Sequence, residues 1–102
     1  MLWTQGLACF FAGLFLCNGV PHFVKGICGD RFPTPFAKPP GRGLSSATLN
    51  TAWGMGNFAA GLLLARGCQL WTGPGLGRWL AAGAAAVFAL LSSSGFARKH
   101  KE

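Results

Sequence analysis

The sequence contains very little negative charge. Asp30 and Glu102 are the only acidic residues among 102, against nine lysines and arginines. A two-carboxylate mechanism needs two acids in one site, and a Ser/His/Asp triad needs an acid beside its histidine. The sequence also has no HExxH motif, no phosphate-binding loop and no dinucleotide-binding glycine motif. We therefore predict that the protein is not an enzyme.

The cysteines and histidines form no metal-binding pattern. No CxxC is present, and no Cys/His spacing matches a zinc site. His22 has no second ligand paired with it, so it is a weak signal for a haem or metal site. The sequence predicts no metal site and identifies no cofactor. Because free cysteine often behaves as a small apolar residue, helix packing positions are predicted for Cys9, Cys17, Cys28 and Cys68.

Charged residues of both signs make up only 11% of the chain, and hydrophobic residues make up 51%. A soluble domain normally has about 25% charged residues, so much of this surface is expected to face something other than water. The basic residues are spread over segments that flank apolar runs instead of clustering on one face, which favours a membrane over nucleic acid. We predict a lipid bilayer as a partner and no nucleic-acid binding.

Three long apolar runs are present, and a membrane helix needs about 20 predominantly apolar residues. We predict transmembrane helices over residues 2–22, 48–65 and 79–97. The alternative is a set of core helices in a soluble protein, but three such runs leave too little polar sequence to cover a soluble core. The predicted fold class is all-α, a single integral membrane bundle of three transmembrane helices.

The first apolar run differs from a cleaved signal peptide. No lysine or arginine precedes it, and no small-x-small cleavage site follows it, so we expect it to be retained. Pro21 lies near its end, where the helix either kinks and continues or stops.

Both connections contain helix breakers. Residues 26–44 hold eight prolines and glycines, which exclude a regular helix. Ser45 or Ser46 is placed to cap the second helix. The second connection includes Gly73-Pro74-Gly75, which indicates a turn.

The basic residues divide unequally between the two sides of a three-span bundle. The Pro/Gly-rich connection with the approach to it, which includes Lys25, shares one side with the C-terminal tail, and together they hold seven of the nine; Arg66 and Arg78 lie on the other side. Because lysine and arginine concentrate in cytoplasmic loops, we predict the N-terminus outside and both the connection and the C-terminus in the cytoplasm. Trp3, Trp71 and Trp79 then fall at the outer boundary, where tryptophan is favoured.

Four of these basic residues have two interpretations. They either bind anionic lipid headgroups or only set the topology of the chain. They lie in or beside the Pro/Gly-rich connection: Lys25, Arg31, Lys38 and Arg42.

Polar side chains within the spans fall in one part of the bundle. Asn50 and Asn57 share a stripe of the second span, and Asn18 and His22 are four residues apart on the first. The hypothesis is a polar pocket open to the cytoplasm, in which His22 is the only side chain of an ionisable type. The alternative is structural, because such groups also hold helices together by hydrogen bonds. The predicted pocket residues are Asn18, His22, Asn50, Asn57 and Ser93.

Pairs of small residues four apart occur in every predicted span. They indicate either a self-association face or packing within one three-helix unit, and the sequence leaves both open. The pairs are Ala8 with Ala12, Gly13 with Cys17, Gly56 with Ala60, and Ala82 with Ala86.

Three stretches between residues 18 and 64, NGVPHFVKGICG, FPTPFAKPPGRGLSS and NTAWGMGNFAAGLLL, resemble a pattern in small bacterial inner-membrane proteins that are loosely DoxX-like. The resemblance implies a bacterial inner-membrane location and no activity. DoxX-like proteins usually have four spans, whereas three are predicted here.

The predicted function is that of a small accessory or structural subunit, which associates with itself or with a larger membrane complex. The alternative is an oligomeric transporter or ligand-binding protein for a small solute or ion, built around the polar pocket. A membrane enzyme or redox component that uses His22 or a cysteine ranks third.

Overall fold

The computed structural model describes residues 2–40 and 43–100, with side chains up to Phe96. These residues contain three helices, α1 (Trp3–Ile27), α2 (Ala47–Gly67) and α3 (Gly75–His100), and no β-strand longer than a single bridge. The all-α prediction is thereby confirmed. α1 runs through Pro21 and ends at Ile27, beyond the predicted limit of residue 22. It continues because α2 packs against it on both sides of the proline, at Gly19 and Gly26.

Two helices are long and apolar enough to cross a membrane. They are α1 and the part of α3 that spans Gly75–Phe96. Among the described helices α2 does not reach the same apolarity, because asparagine, threonine and glycine dilute its apolar side chains. Length and composition therefore identify two of the three predicted spans.

α1 is the central helix of the bundle. It packs against α2 and against α3, while α2 and α3 make no contact with each other within the described residues. Ser46 caps α2, and its side-chain oxygen accepts a hydrogen bond of 3.1 Å from the Leu49 N–H. The connection from α2 to α3 is a turn that ends where α3 begins at Gly75, as Gly73-Pro74-Gly75 predicts.

The Pro/Gly-rich connection is irregular over its described residues and folds back on itself. Its two ends meet in a single antiparallel bridge between Phe32 and Ser45, with N···O distances of 3.3 and 3.0 Å. The prediction that residues 26–44 form no regular helix is confirmed for the described residues from 28 onward, whereas Gly26 and Ile27 belong to the end of α1.

α1 and α2 run antiparallel, and their backbones approach closely at small residues. Buried Gly19 and Gly26 lie seven residues apart on α1, as do buried Gly54 and Gly61 on α2. A Cβ atom added at Gly54 would lie 2.6 Å from the backbone nitrogen of Phe23. A seven-residue period keeps such positions on the contact face of two helices that wrap around each other.

A disulfide joins these two helices at the end of the bundle that holds the N-terminus. Cys9 of α1 and Cys68 at the end of α2 are bonded, with Cα atoms 5.5 Å apart and a sequence separation of 59. Both are buried in a small apolar core. The prediction that all four cysteines are packing residues is therefore wrong for this pair, because a separation of 59 gives no local signal. Cys17 and Cys28 are free thiols.

α3 exposes most of its apolar surface. Only 6% of the most apolar 18-residue stretch of α3 is buried, against 28% of that of α1. It approaches α1 closely at Gly13, where an added Cβ would collide with the Ala81 backbone. Small residues thus pack inside the bundle on α1, whereas Gly56, Ala82 and Ala86 are exposed.

Gly54→Ala is expected to destabilise the fold by about 1–3 kcal/mol, because the new methyl group would overpack the contact with the Phe23 backbone. Gly56→Ala is the matched control, since an added Cβ there has no neighbour within 4 Å. Denaturant or thermal unfolding of both variants in mild detergent measures the difference. Equal stability of the two variants would contradict the close approach of α1 and α2.

Candidate binding site at the His22 end of the bundle

The buried amide of Asn50 fixes the orientation of His22. Asn50 is 0% exposed, and its oxygen lies 2.8 Å from His22 Nδ1. Its nitrogen donates to backbone carbonyls of the connection and the start of α2: Phe32 at 2.9 Å, Ser45 at 3.2 Å and Ser46 at 3.0 Å. Because those carbonyls only accept, the amide oxygen must face the histidine, and His22 Nδ1 must donate to it. In the neutral ring, Nε2 is then left as an acceptor.

A second hydrogen-bonded pair, formed by two amides, lies deeper along the same two helices. Asn18 Nδ2 donates to Asn57 Oδ1 at 3.0 Å, and Asn57 Nδ2 donates to the Trp53 carbonyl at 2.8 Å. Asn57 is buried, and Asn18 is half-buried. Asn18 and His22 of α1 therefore each have a polar partner on α2.

The connection folds against this polar cluster and reaches α3. The Phe32 ring lies edge-on to the His22 ring, with centroids 5.3 Å apart, and 4.9 Å from the Phe96 ring of α3. Thr34 and Ser45 share a hydroxyl hydrogen bond of 2.6 Å, and the Phe36 N–H donates to the Thr34 hydroxyl at 3.1 Å. The bonds to Asn50 and the ring contacts of Phe32 therefore fix this segment to all three helices.

A cavity of about 230 Å³ lies between the connection and the three helices. α1 contributes Asn18, Pro21 and His22, and the connection contributes residues 32–35. The remaining walls are Trp53 of α2 and Phe88, Ser92 and Phe96 of α3.

The sequence-predicted pocket residues fall into three groups. Asn18 and His22 line the cavity, while Asn50 and Asn57 lie behind them as hydrogen-bond partners. Ser93 is exposed and does not line the cavity, because the face of α3 turned toward α1 carries Ser92 instead.

Sequence reasoning missed the aromatic walls of the cavity. Trp53 had a signal, since it lies on the same helical stripe as Asn50 and Asn57. Phe32 had none, because a proline-rich connection gives no period from which a buried residue can be identified.

Two polar atoms at the cavity lack partners within the described residues. Trp53 Nε1 is a buried N–H donor without a hydrogen bond. His22 Nε2 has no hydrogen bond either, since the bond to Asn50 uses Nδ1. Two residues that line the cavity therefore each have a ring nitrogen without a hydrogen-bond partner among the described residues.

The chemistry of the described residues does not favour a metal. No group of three histidine, cysteine or acidic side chains in that part of the chain is placed to hold a metal ion. The cavity walls carry no lysine, arginine, aspartate or glutamate. His22 is therefore the one side chain of an ionisable type that the described cavity walls offer to a ligand.

The basic residues in and beside the connection lie outside the cavity, at the same end of the bundle. Lys25, Arg31 and Lys38 are exposed. Arg42, the fourth member of the predicted headgroup set, lies outside the described residues.

No family model, curated protein or solved structure matches this chain. The resemblance to DoxX-like proteins therefore stays a prediction, and the function is argued from the geometry of the chain itself.

Asn50→Ala is expected to destabilise the protein by about 1–3 kcal/mol, because it leaves His22 and the carbonyls of the connection without their partner. It should also speed tryptic cleavage after Arg31, since the connection would no longer be held to α2. Limited proteolysis of the detergent-solubilised protein measures this rate.

Asn57→Ala is the control for that experiment. It removes the bond to Asn18 but no bond to the connection, so cleavage after Arg31 should stay at the wild-type rate. Equal acceleration in both variants would show that Asn50 has no special role in fixing the connection.

Proposed function

We propose that this chain is a small integral membrane protein of three spans, and that it acts as an accessory or structural subunit by packing against a second copy of itself. The observation that supports this most directly is the outer face of α3. Among the described helices α3 contacts only α1, and most of its large apolar side chains are exposed.

The third span, α2, is compatible with lipid despite its polar residues. Asn50 and Asn57 are both buried against α1, and their side chains are hydrogen-bonded there. A helix can cross a bilayer when its polar groups are satisfied by a neighbouring helix. α2 therefore depends on α1 for its place in the membrane.

Two unrelated features support the same orientation. The Cys9–Cys68 disulfide lies at the N-terminal end of α1, and disulfides persist in oxidising compartments such as the bacterial periplasm. Lys25, Arg31 and Lys38 lie at the opposite end, and basic residues favour the cytoplasmic side. We place the N-terminus outside and the connection in the cytoplasm of a bacterial inner membrane.

In this orientation the exposed side chains of Lys25, Arg31 and Lys38 are free to contact anionic headgroups of the inner leaflet. Each basic residue near such a surface contributes about 1 kcal/mol of attraction. We assign them, with Arg42, the binding of lipid headgroups in addition to setting the topology.

Cysteine labelling in intact cells tests the orientation. Without reductant, Cys9 and Cys68 should not react, and exposed Cys28 should react with a membrane-permeant maleimide but not with a sulfonated, impermeant one. The Cys17→Ser variant leaves Cys28 as the single free thiol, and permeabilised cells provide the positive control. Labelling of Cys28 by the impermeant reagent in intact cells would reverse the orientation.

The small residues exposed on α3 form the proposed contact. They recur at intervals of four, three and four residues, so they follow one side of the helix. Small residues let two helix backbones approach closely in lipid. When the same residues of two copies of α3 contact each other, the result is a closed dimer with two-fold symmetry. The stripe consists of Ala82, Ala86, Ala89 and Ser93, all exposed.

Ala86→Leu is expected to weaken self-association at least tenfold, because its larger side chain would separate the two α3 backbones. Val87→Leu is the matched control, since it places leucine at the next exposed position, about 100° around the helix. Energy transfer between labelled copies in lipid vesicles, followed as the protein is diluted, measures association.

Three outcomes of that experiment contradict the self-association proposal. They are a monomer at all dilutions, equal effects of the two substitutions, and copurification from native membranes with another protein in place of a second copy. The last would leave the role of accessory subunit standing and change its partner.

A second candidate function is the binding of a small solute, and the cavity beside His22 favours it. Two of the residues that line it, Trp53 and His22, each have a ring nitrogen without a hydrogen-bond partner among the described residues. A role in transport would require an oligomer, because three helices do not enclose a path across the membrane.

A further inference from the structure

An apolar furrow runs between α1 and α3, along residues 3–14 of the first helix and 76–91 of the second. It consists of two clefts of about 460 and 420 Å³, which adjoin because Phe10 and Leu80 line both of them. The larger cleft also shares Phe88 with the cavity beside His22. The furrow and the cavity therefore follow one another along the same side of the bundle.

We propose that this furrow holds one acyl chain of an anionic phospholipid from the inner leaflet, and that the phosphate of the lipid pairs with Lys25. The proposal rests on the orientation and the headgroup contacts proposed above, and it adds the place where the chain of the lipid lies.

A basic residue lies at the inner end of this path, on the same side of α1. Four residues share that side because they recur at intervals of four, three and four: Leu14, Asn18, Pro21 and Lys25. The first lines the furrow, the next two line the adjoining cavity, and Lys25 is exposed beyond them. A chain that follows this side of α1 therefore meets the Lys25 ammonium group at its inner end.

The wall of the path changes from charged to polar to apolar, in the order of the parts of a phospholipid. His22 and Asn18 of the cavity lie about 5 and 10 Å deeper along α1 than Lys25, at 1.5 Å per residue. Beyond the cavity the furrow is lined by apolar residues and glycine, with tryptophan as the single residue type that carries a polar atom. Phosphate, glycerol esters and hydrocarbon follow one another in the same order.

The length of the path suits a chain from one leaflet. Lys25 and Leu14 are eleven residues apart, which is about 16 Å along the helix. Half of the hydrocarbon core of a bilayer is about 15 Å thick. A chain whose headgroup is held at Lys25 therefore ends in the furrow near Leu14.

The charge at the inner end selects an anionic headgroup. Lys25, Arg31 and Lys38 are exposed there, and Asp30 is the single acidic residue that the structure describes. Arg31 directly precedes Phe32, which lines the cavity. A phosphodiester without a cationic group of its own therefore suits this end better than a zwitterionic headgroup does.

The test is native mass spectrometry of the full chain in detergent micelles, titrated with dioleoyl phosphatidylglycerol. We expect one molecule of this lipid to bind each chain saturably. Dioleoyl phosphatidylcholine has the same chains and a zwitterionic headgroup, and it should bind about fivefold more weakly, the effect of about one basic residue near an anionic group. This comparison uses the wild-type protein and needs no variant.

Gly83→Leu tests the place of the chain. Gly83 lines the furrow two residues after Ala81, which meets Gly13, so it lies near the level of Leu14. The leucine should weaken binding of the dioleoyl lipid about fivefold, because it occupies space that the chain needs and removes packing contacts. Gly56→Leu on α2 is the matched control, since an added Cβ has no neighbour within 4 Å at either glycine and Gly56 lies outside the furrow.

Two further comparisons separate the chain from the headgroup. Dihexanoyl phosphatidylglycerol has chains too short to reach Gly83, so Gly83→Leu should leave its binding unchanged. Lys25→Gln should weaken phosphatidylglycerol about fivefold and leave phosphatidylcholine unchanged. Lys38→Gln removes the same charge away from α1 and should change neither by more than about twofold.

The outcomes that overturn the proposal are distinguishable. Equal effects of Gly83→Leu and Gly56→Leu would exclude the furrow as the place of the chain, and equal effects of Lys25→Gln and Lys38→Gln would exclude the pairing with Lys25. Loss of self-association in Gly83→Leu, measured by energy transfer in lipid vesicles, would show that a second copy occupies the furrow instead of a lipid. No saturable binding of either dioleoyl lipid would overturn the whole proposal, while the orientation keeps its own test in the labelling of Cys28.

Discussion

Where α1 and α2 cross, two backbones meet without side chains between them. Gly19, Gly26 and Gly54 make this approach possible, since a Cβ at any of them would collide with the opposite helix. The approach brings Asn18 and His22 of α1 within hydrogen-bonding distance of α2. In the proposed bilayer setting such bonds leave no polar side chain of this interface facing lipid.

Asn50 extends that contact beyond the two helices. One side chain meets His22 of α1, the start of its own helix, and the carbonyl of Phe32 in the connection. The Phe32 ring then reaches Phe96 of α3. The connection therefore links α2 and α3, which do not contact each other within the described residues, and the cavity lies beneath it.

The sequence predicted the features that depend on local rules. Helix number, the turn at Gly73-Pro74-Gly75 and the cap at Ser46 follow from apolar length, helix breakers and capping chemistry. Asn18 and His22 of α1 also meet Asn57 and Asn50 of α2, because helical spacing and antiparallel order suffice to bring them together.

Features that depend on helix rotation and long-range contact could not be predicted in the same way. The Cys9–Cys68 pair, the folding of Phe32 onto His22 and the choice of Ser92 over Ser93 all require knowledge of which face of each helix turns inward. The seven-residue spacing of glycines on α1 and α2 was a readable signal for that face.

The partners of the α1 polar residues come late in the chain. His22 is separated from Asn50 by 28 residues, and Asn18 from Asn57 by 39. A ribosome therefore completes α1 before it has made either amide that α1 needs, so α1 on its own is poorly suited to residence in the hydrocarbon region. The first two helices therefore enter the bilayer most favourably together, as a helical hairpin. α3 follows them in the chain and packs against the hairpin after α1 and α2 have paired.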